Sequence, residues 1–192
     1  RVINPEFCDA ANDAANIRRT FGENAVWLGT DIMDAFHNMP LHEEEQANTV
    51  CRHAGLFYTF CILVFGSKGA PLAWGRAAAW LGRACVTLVQ FLQMHTFVDD
   101  PLFSAPATIA VRVFSSVLLF MTWIGFPIAW PKTEGGRNIR WIGALFSIGV
   151  SFVTISIPPE KCRELADAII KYLGLKRVSF KELRRFAGKV SP

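Results

Sequence analysis

The sequence predicts an α+β fold, an antiparallel sheet with helices packed on one face. Three observations carry this. Short apolar runs rich in β-branched and aromatic residues are bounded by turn signals. Two longer segments repeat apolar residues at helical spacing. These elements follow the order strand, strand pair, helix, hairpin, helix, which closes a sheet with its helices to one side. The 192 residues are 52% apolar and 19% charged, enough to bury a core and too apolar for a disordered chain. A formal charge of +4 suits contact with a phosphate backbone but does not require it.

Asn12–Arg19 reads as a short helix with Arg18 and Arg19 near its end, and Val26–Leu28 as a strand leading to Asp31. Ala35–Met39 reads as a turn, and Leu41–Ala47, with its three glutamates, as a short helix or loop. Ala54 and Gly55 join Thr49–Arg52 to Leu56–Phe60 in a hairpin, and Cys61–Phe65 extends the second strand toward Gly66. Pro71 suits the first turn of a helix running to about Gln93, with Ala78, Leu81 and Cys85 on its buried face. A second helix spans about Ala107 to Ile124, where Val113, Val117 and Met121 share a face. Arg137–Ile157 alternates into two or three strands. A helix from Pro159 ends near Gly174, where glycine suits a left-handed cap. Ser179 and Glu182 form a capping box, with Val178 and Leu183 as its staple.

Several function classes lose ground on composition. Five cysteines, odd in number and without a Cys-x-x-Cys pair, argue against a disulfide frame or zinc site and for reduced thiols. His42–Glu45 lacks the second histidine of a zinc helix, since position 46 is Gln. Val113–Pro131 has no formal charge and approaches the ~20 apolar residues of a membrane span. Three hydroxyl residues dilute it and Pro127 and Pro131 interrupt it, so a helix packed on the sheet is preferred. No charged segment followed by a short apolar core opens the sequence, so a signal peptide is not expected. The expectation is an intracellular protein, cytoplasmic or nuclear and not secreted, without stable membrane association. A start at Arg1 without Met suggests a piece of a longer protein.

The chemistry concentrates in Phe97-Val98-Asp99-Asp100, two carboxylates between apolar runs at the expected tip of a hairpin. Asp31 follows a second strand, 68 residues upstream of Asp99 (99 − 31), leaving room for a strand pair and a long helix between them. Hard divalent cations prefer such oxygen ligands. Two ions about 3.5–4 Å apart clamp both the attacking and leaving oxygens of a phosphoryl transfer. Taken alone, Asp-Asp-Pro is also ordinary turn chemistry, and Asp31 an ordinary cap.

In combination these segments resemble the palm motifs of reverse transcriptases, in the family's order. Asp31–Leu41 carries Asp-x-x-Asp-Ala-Phe-x-x-x-Pro-Leu across eleven positions and resembles motif A. Phe65–Trp74 resembles motif B, Phe97–Asp100 motif C, Gly125–Lys132 motif D, and Arg140–Gly143 the primer-grip hairpin. Phe65 stands where many retroviral members carry Gln, and Ala70 where many carry Ser, which points toward other retroelement lineages.

The resemblance implies a polymerase palm with partial fingers and the start of a thumb: fingers remnant at 1–24, palm with motifs A to E at 25–157, and a helical connection to the thumb at 158–192. It implies two magnesium ions, with manganese as a substitute, held by Asp31, Asp99, Asp100 and the Ile32 carbonyl. Lys132 is expected to act as a general acid toward pyrophosphate, although a solvated loop lysine fits the sequence nearly as well. Arg1, Asp34, Ala35, Phe36 and Gly66 are expected at the nucleotide. Phe36 would be a gate against the ribose 2′-hydroxyl, with an ordinary core Phe as its rival reading. Lys68, Gly69, Trp141 and Gly143 are expected at an RNA or DNA template with its primer; dNTPs would be the substrates. Rival readings are an RNA-dependent RNA polymerase, an inactive or co-opted retroelement remnant that binds nucleic acid, and a membrane protein.

Overall fold

The computed structural model describes residues 5–22, 24–175 and 177–190. Helix α1 (Phe7–Phe21) leads to strand β1 (Ala25–Gly29), a 3₁₀ turn (Ala35–Asn38), α2 (Glu43–Gln46) and the hairpin β2 (Val50–His53) and β3 (Leu56–Thr59). Then come α3 (Ala70–Leu88), the hairpin β4 (Gln93–Phe97) and β5 (Asp100–Pro106), and α4 (Ala110–Trp123). Strands β6 (Glu134–Gly136), β7 (Asn138–Trp141), β8 (Ala144–Ile148) and β9 (Val153–Ser156) precede α5 (Pro159–Leu173) and α6 (Phe180–Val190).

The central sheet has the order β4-β5-β1-β6 and is antiparallel throughout. Successive side chains of a strand point to opposite faces, and β1 and β5 use both. Leu28, Phe103 and Ala105 face α3 and α4, packing with Trp74, Leu81, Val117 and Met121. Ala25, Trp27 and Leu102 face the other way, into Ala10, Ala14 and Ile17 of α1 and Ile139, Trp141 and Phe146 of the sheet β7-β8-β9. The two long helices thus share one face, while α1 and the second sheet cover the face that periodicity left unassigned. Gly29 permits this approach: a Cβ there would lie 2.8 Å from Ile139 Cδ1. His95 Nε2 and Asp13 Oδ2, 2.7 Å apart, link α1 to β4.

Several boundaries differ from expectation, each for a local reason. Helix α1 is longer than Asn12–Arg19, because Asp9 Oδ2 accepts from Glu6 N at its start and Gly22 ends it in the left-handed region (φ 67). Cys61–Phe65 does not extend β3; the chain leaves the ladder and bridges back to Pro40 through Ile62. Helix α3 stops at Leu88 instead of Gln93, since the chain must reverse before β4, with Phe91 at φ 65. Helix α4 begins at Ala110, after a turn closed by Ile109 N to Pro106 O, while Ala107 N still donates to Asn24 O beside β1. Gly174 remains right-handed (φ −77), so the left-handed cap belongs to Gly22. The Ser179–Glu182 capping box forms in both directions. Among the described residues no helix is long and apolar enough to cross a membrane.

Phe146 is fully buried and meets Phe7, Trp27 and Trp141 at ring separations of 5.7–5.9 Å. Phe146→Ala should therefore lower unfolding stability by about 3–5 kcal/mol, read from the urea midpoint; a loss near zero would mean the second face contributes no core.

Candidate active site

Strands β4 and β5 are joined by the two-residue loop Val98–Asp99, with Phe97 paired to Asp100. Val98 has φ 55, the positive φ that tight hairpins demand but a β-branched residue resists. Next door, β1 continues past Gly29 along the start of β5: Thr30 N donates to Pro101 O and Ile32 N to Asp99 O. On its other side the same segment is gripped by Met33 N to Pro127 O and Ala129 N to Asp31 O. The Thr30 and Thr133 hydroxyls, 2.7 Å apart, add a partly buried clasp. Asp31 is thereby fixed between the hairpin and the chain that follows α4.

The result is one carboxylate cluster. Asp31, Asp99 and Asp100 each offer an oxygen within 4.8 Å of the others, all partly buried. Burial, then the charges of Asp99 and Asp31, push the Asp100 carboxyl up to about 6. Lys132 lies on the surface beside the cluster, its Nζ donating to Asp31 Oδ2 at 2.7 Å. That hydrogen bond, and then the Asp31 charge, raise the Lys132 ammonium above its ordinary range. Three converging carboxylates that repel one another and have recruited an ammonium form a donor set suited to a hard divalent cation.

The segment after Asp31 and the entry to α3 meet through Phe36 and Phe65. Asp34 is left-handed (φ 50) and caps the 3₁₀ turn, with Ala35 buried behind it. Phe36 is 7% exposed, its ring packed on Phe65 at 4.8 Å and Trp74 at 6.3 Å, so it belongs to the core while also lining the cleft beside α3. Phe65 is exposed, as are Gly66 (φ 89), Lys68 and Gly69, which lead into α3.

Not every expected residue is placed to touch a ligand. Trp141 is 3% exposed and its Nε1 donates to Asp100 O at 2.9 Å, so its ring braces the acidic hairpin and is not free to lie against a primer. The adjoining turn, Ile142 (φ 42) and Gly143 (φ 80), is the more outward part. Arg1 lies outside the described residues. Sequence reasoning missed the role of Trp74, whose Nε1 donates to Val98 O at 2.6 Å; its signal was a tryptophan on a buried helix face, since a buried indole N–H usually finds a partner.

The family model for "Reverse transcriptase (RNA-dependent DNA polymerase)" matches residues 8–146, well over half the chain. The chain belongs to the reverse transcriptase family. Its fold is similar to that of the foamy viral protease-reverse transcriptase in complex with RNA/DNA hybrid, at TM-score 0.71, 14% identity, 85% coverage of this chain and 20% of that one. It is also similar to the dRH form of that protein in complex with dsDNA (TM-score 0.68, 15% identity, 85% and 26% coverage) and to a further dsDNA complex (0.66, 15%, 85% and 32%). The chain thus spans between a fifth and a third of the length of these reverse transcriptases. No curated protein sequence matches it.

The cluster makes the metal-free protein pH-sensitive. Asp100 titrates near 6 when folded and near 3.8 when unfolded, so the unfolded chain releases its proton first as pH rises. This group's penalty is absent below the unfolded value and complete above about 6. Lowering pH from 7 to 5 should raise the metal-free Tm, and Asp100→Asn should flatten that slope. An unchanged slope in the variant would remove Asp100 as its source.

Proposed function

We propose that the chain is the palm-centred part of an RNA-directed DNA polymerase of a retroelement, adding deoxynucleotides to a primer 3′-end. The observation that carries this is the convergence of Asp31, Asp99 and Asp100 on one point, in a chain of the reverse transcriptase family. On this reading residues 1–24 are a fingers remnant, 25–157 the palm and 158–192 the helical link to a thumb.

Asp31, Asp99 and the Ile32 carbonyl would hold two magnesium or manganese ions, with Asp100 in support. When bound, such ions supply Lewis-acid activation of the primer hydroxyl and neutralise the triphosphate. The chain's own residues do the rest. Ile32 N and Ala129 N fix the backbone on both sides of Asp31, so its carboxylate is preorganised. Lys132, protonated and 2.7 Å from Asp31 Oδ2, is in reach of the same site and can deliver a proton to the departing pyrophosphate.

Asp34 and Ala35 would present backbone N–H groups to the triphosphate, the small Ala35 allowing close approach. Phe36 would exclude a ribose 2′-hydroxyl, and its packing on Phe65 and Trp74 gives the ring the rigidity a gate needs. Gly66 would accommodate the incoming base, Lys68 and Gly69 the template backbone, and the turn at Gly143, braced through Trp141, the primer. The duplex partners follow from the related foamy viral protein, which was solved with RNA/DNA hybrid and with dsDNA.

Asp99→Asn, in a chain carrying the flanking fingers and thumb segments, should abolish primer extension while leaving duplex binding largely intact, since uncharged Asn is a poor substitute for a carboxylate toward a hard cation. Undiminished synthesis by that variant would sink the assignment. Phe36→Ala should raise the ratio of ribonucleotide to deoxynucleotide incorporation, by up to about two orders of magnitude for a purely steric filter; an unaltered ratio in single-nucleotide extension would mean Phe36 serves only the core.

A further inference from the structure

We propose that Trp74 is a positioning residue for the acidic hairpin: its indole N–H, carried by α3, fixes the left-handed backbone of Val98 and through it the aim of Asp99. The inference rests on reading Asp31, Asp99 and Asp100 as a cation-binding set. The carbonyls of Val98, Asp99 and Asp100 accept hydrogen bonds from three separate elements: Trp74 Nε1 of α3 at 2.6 Å, Ile32 N beside β1 at 2.9 Å, and Trp141 Nε1 of β7 at 2.9 Å. Of these three carbonyls, that of Val98 belongs to the residue whose backbone needs outside support. A two-residue hairpin loop with positive φ at its first position favours glycine, and Val98 holds φ 55 despite its branched Cβ.

Trp74 is built to supply that support. Its ring is 1% exposed, wedged between Phe36 at 6.3 Å and Phe126 at 6.2 Å, so the N–H cannot swing away from the turn. The turn also borders an open cleft of about 870 Å³ lined by Pro71, Trp74, Gly75, Thr96 and Val98. Without the indole, the Val98 carbonyl would turn toward that water-accessible space. Relaxation of φ at Val98 rotates the following peptide, and Asp99 moves with it. Phenylalanine removes the donor and keeps an aromatic ring between Phe36 and Phe126, with some loss of buried volume that the metal-free Tm registers.

The test measures Mn²⁺ binding to the 192-residue chain by the loss of free Mn²⁺ EPR signal, beside the metal-free Tm. Trp74→Phe is expected to weaken Mn²⁺ binding by about three- to tenfold, the scale of one hydrogen bond, and to lower Tm by no more than about 5 °C. Adding Val98→Gly to that variant should restore part of the affinity, because glycine adopts φ 55 without support. A purely structural role would lower Tm and leave affinity unmoved, and equal affinity in Trp74→Phe overturns the proposal. If the wild-type chain binds no Mn²⁺, the cation-binding reading fails, taking this inference with it; the two failures are thus distinct. Should Trp74→Phe not fold, the ¹⁵N-indole spectrum of the wild-type chain decides. The Trp74 N–H should exchange slowly and shift on saturation with Mg²⁺, and rapid exchange or no response overturns the proposal.

Discussion

The pairing of β1 with β5 is the constraint on which the rest depends. Its register runs from Ala25↔Pro106 to Gly29↔Leu102 and continues through Thr30 N to Pro101 O and Ile32 N to Asp99 O. Three carboxylates lie within 4.8 Å of one another, and burial first, then the charges of Asp99 and Asp31, raise Asp100. The β1–β5 ladder brings them together. A slip of one residue would reverse the facing of every side chain on the strand. Trp27 would then enter the α3–α4 core, Leu28 the second sheet, and Asp31 would move a residue away from Asp99. Packing on both faces selects the register, and the register sets the site.

Each face also reaches the acids directly. Trp74 comes from the helical layer and Trp141 from the second sheet, each spending its one side-chain donor on the acidic hairpin. The sheet edge at β4 is steadied from α1 by the Asp13–His95 contact. Lys132 supplies the positive charge that the cluster lacks, from a segment clasped to Thr30 through Thr133. A core disturbance on either side therefore has a short path to the carboxylates, through an indole whose ring is buried in that core.

How much of this was legible in the sequence follows from what periodicity encodes. Apolar spacing reveals which side of an element is buried, so α3, α4 and the hairpins were readable, as was the acid pair at a turn. Spacing does not reveal the partner. The α1 face built on Ala10, Ala14 and Ile17 is too small-residued to announce a packing surface, and its cover over Trp27 was invisible. The motif around Trp141 gave its place beside the site, but a primer-facing ring and a buried brace share the same letters; only the bond to Asp100 O separates them. Gly22 and Gly174 make the same point. Both follow helices, yet only Gly22 takes the left-handed cap, a choice the local sequence does not display.

The molecule divides by whether an element has a core of its own. The two buried clusters draw on α1, β1, α3, β5, α4, β7 and β8, and hold every element that fixes the three acids. By contrast, β2 and β3 are open on both faces, with Leu56 at 61% and Phe57 at 73% exposure, and α5 buries no residue. Tyr172 meets Phe186 of α6 edge to face, and Arg140 pairs with Glu160, but these are surface attachments. Isolated hairpins and amphipathic helices of this kind gain their stability from packing partners. Among the described residues none of the hydrogen bonds or packed rings that set the carboxylates comes from the elements that lack a core, so their geometry is held by the elements that have one. Whatever those exposed faces meet, they meet it around a centre already set by the β1–β5 ladder and its two braces.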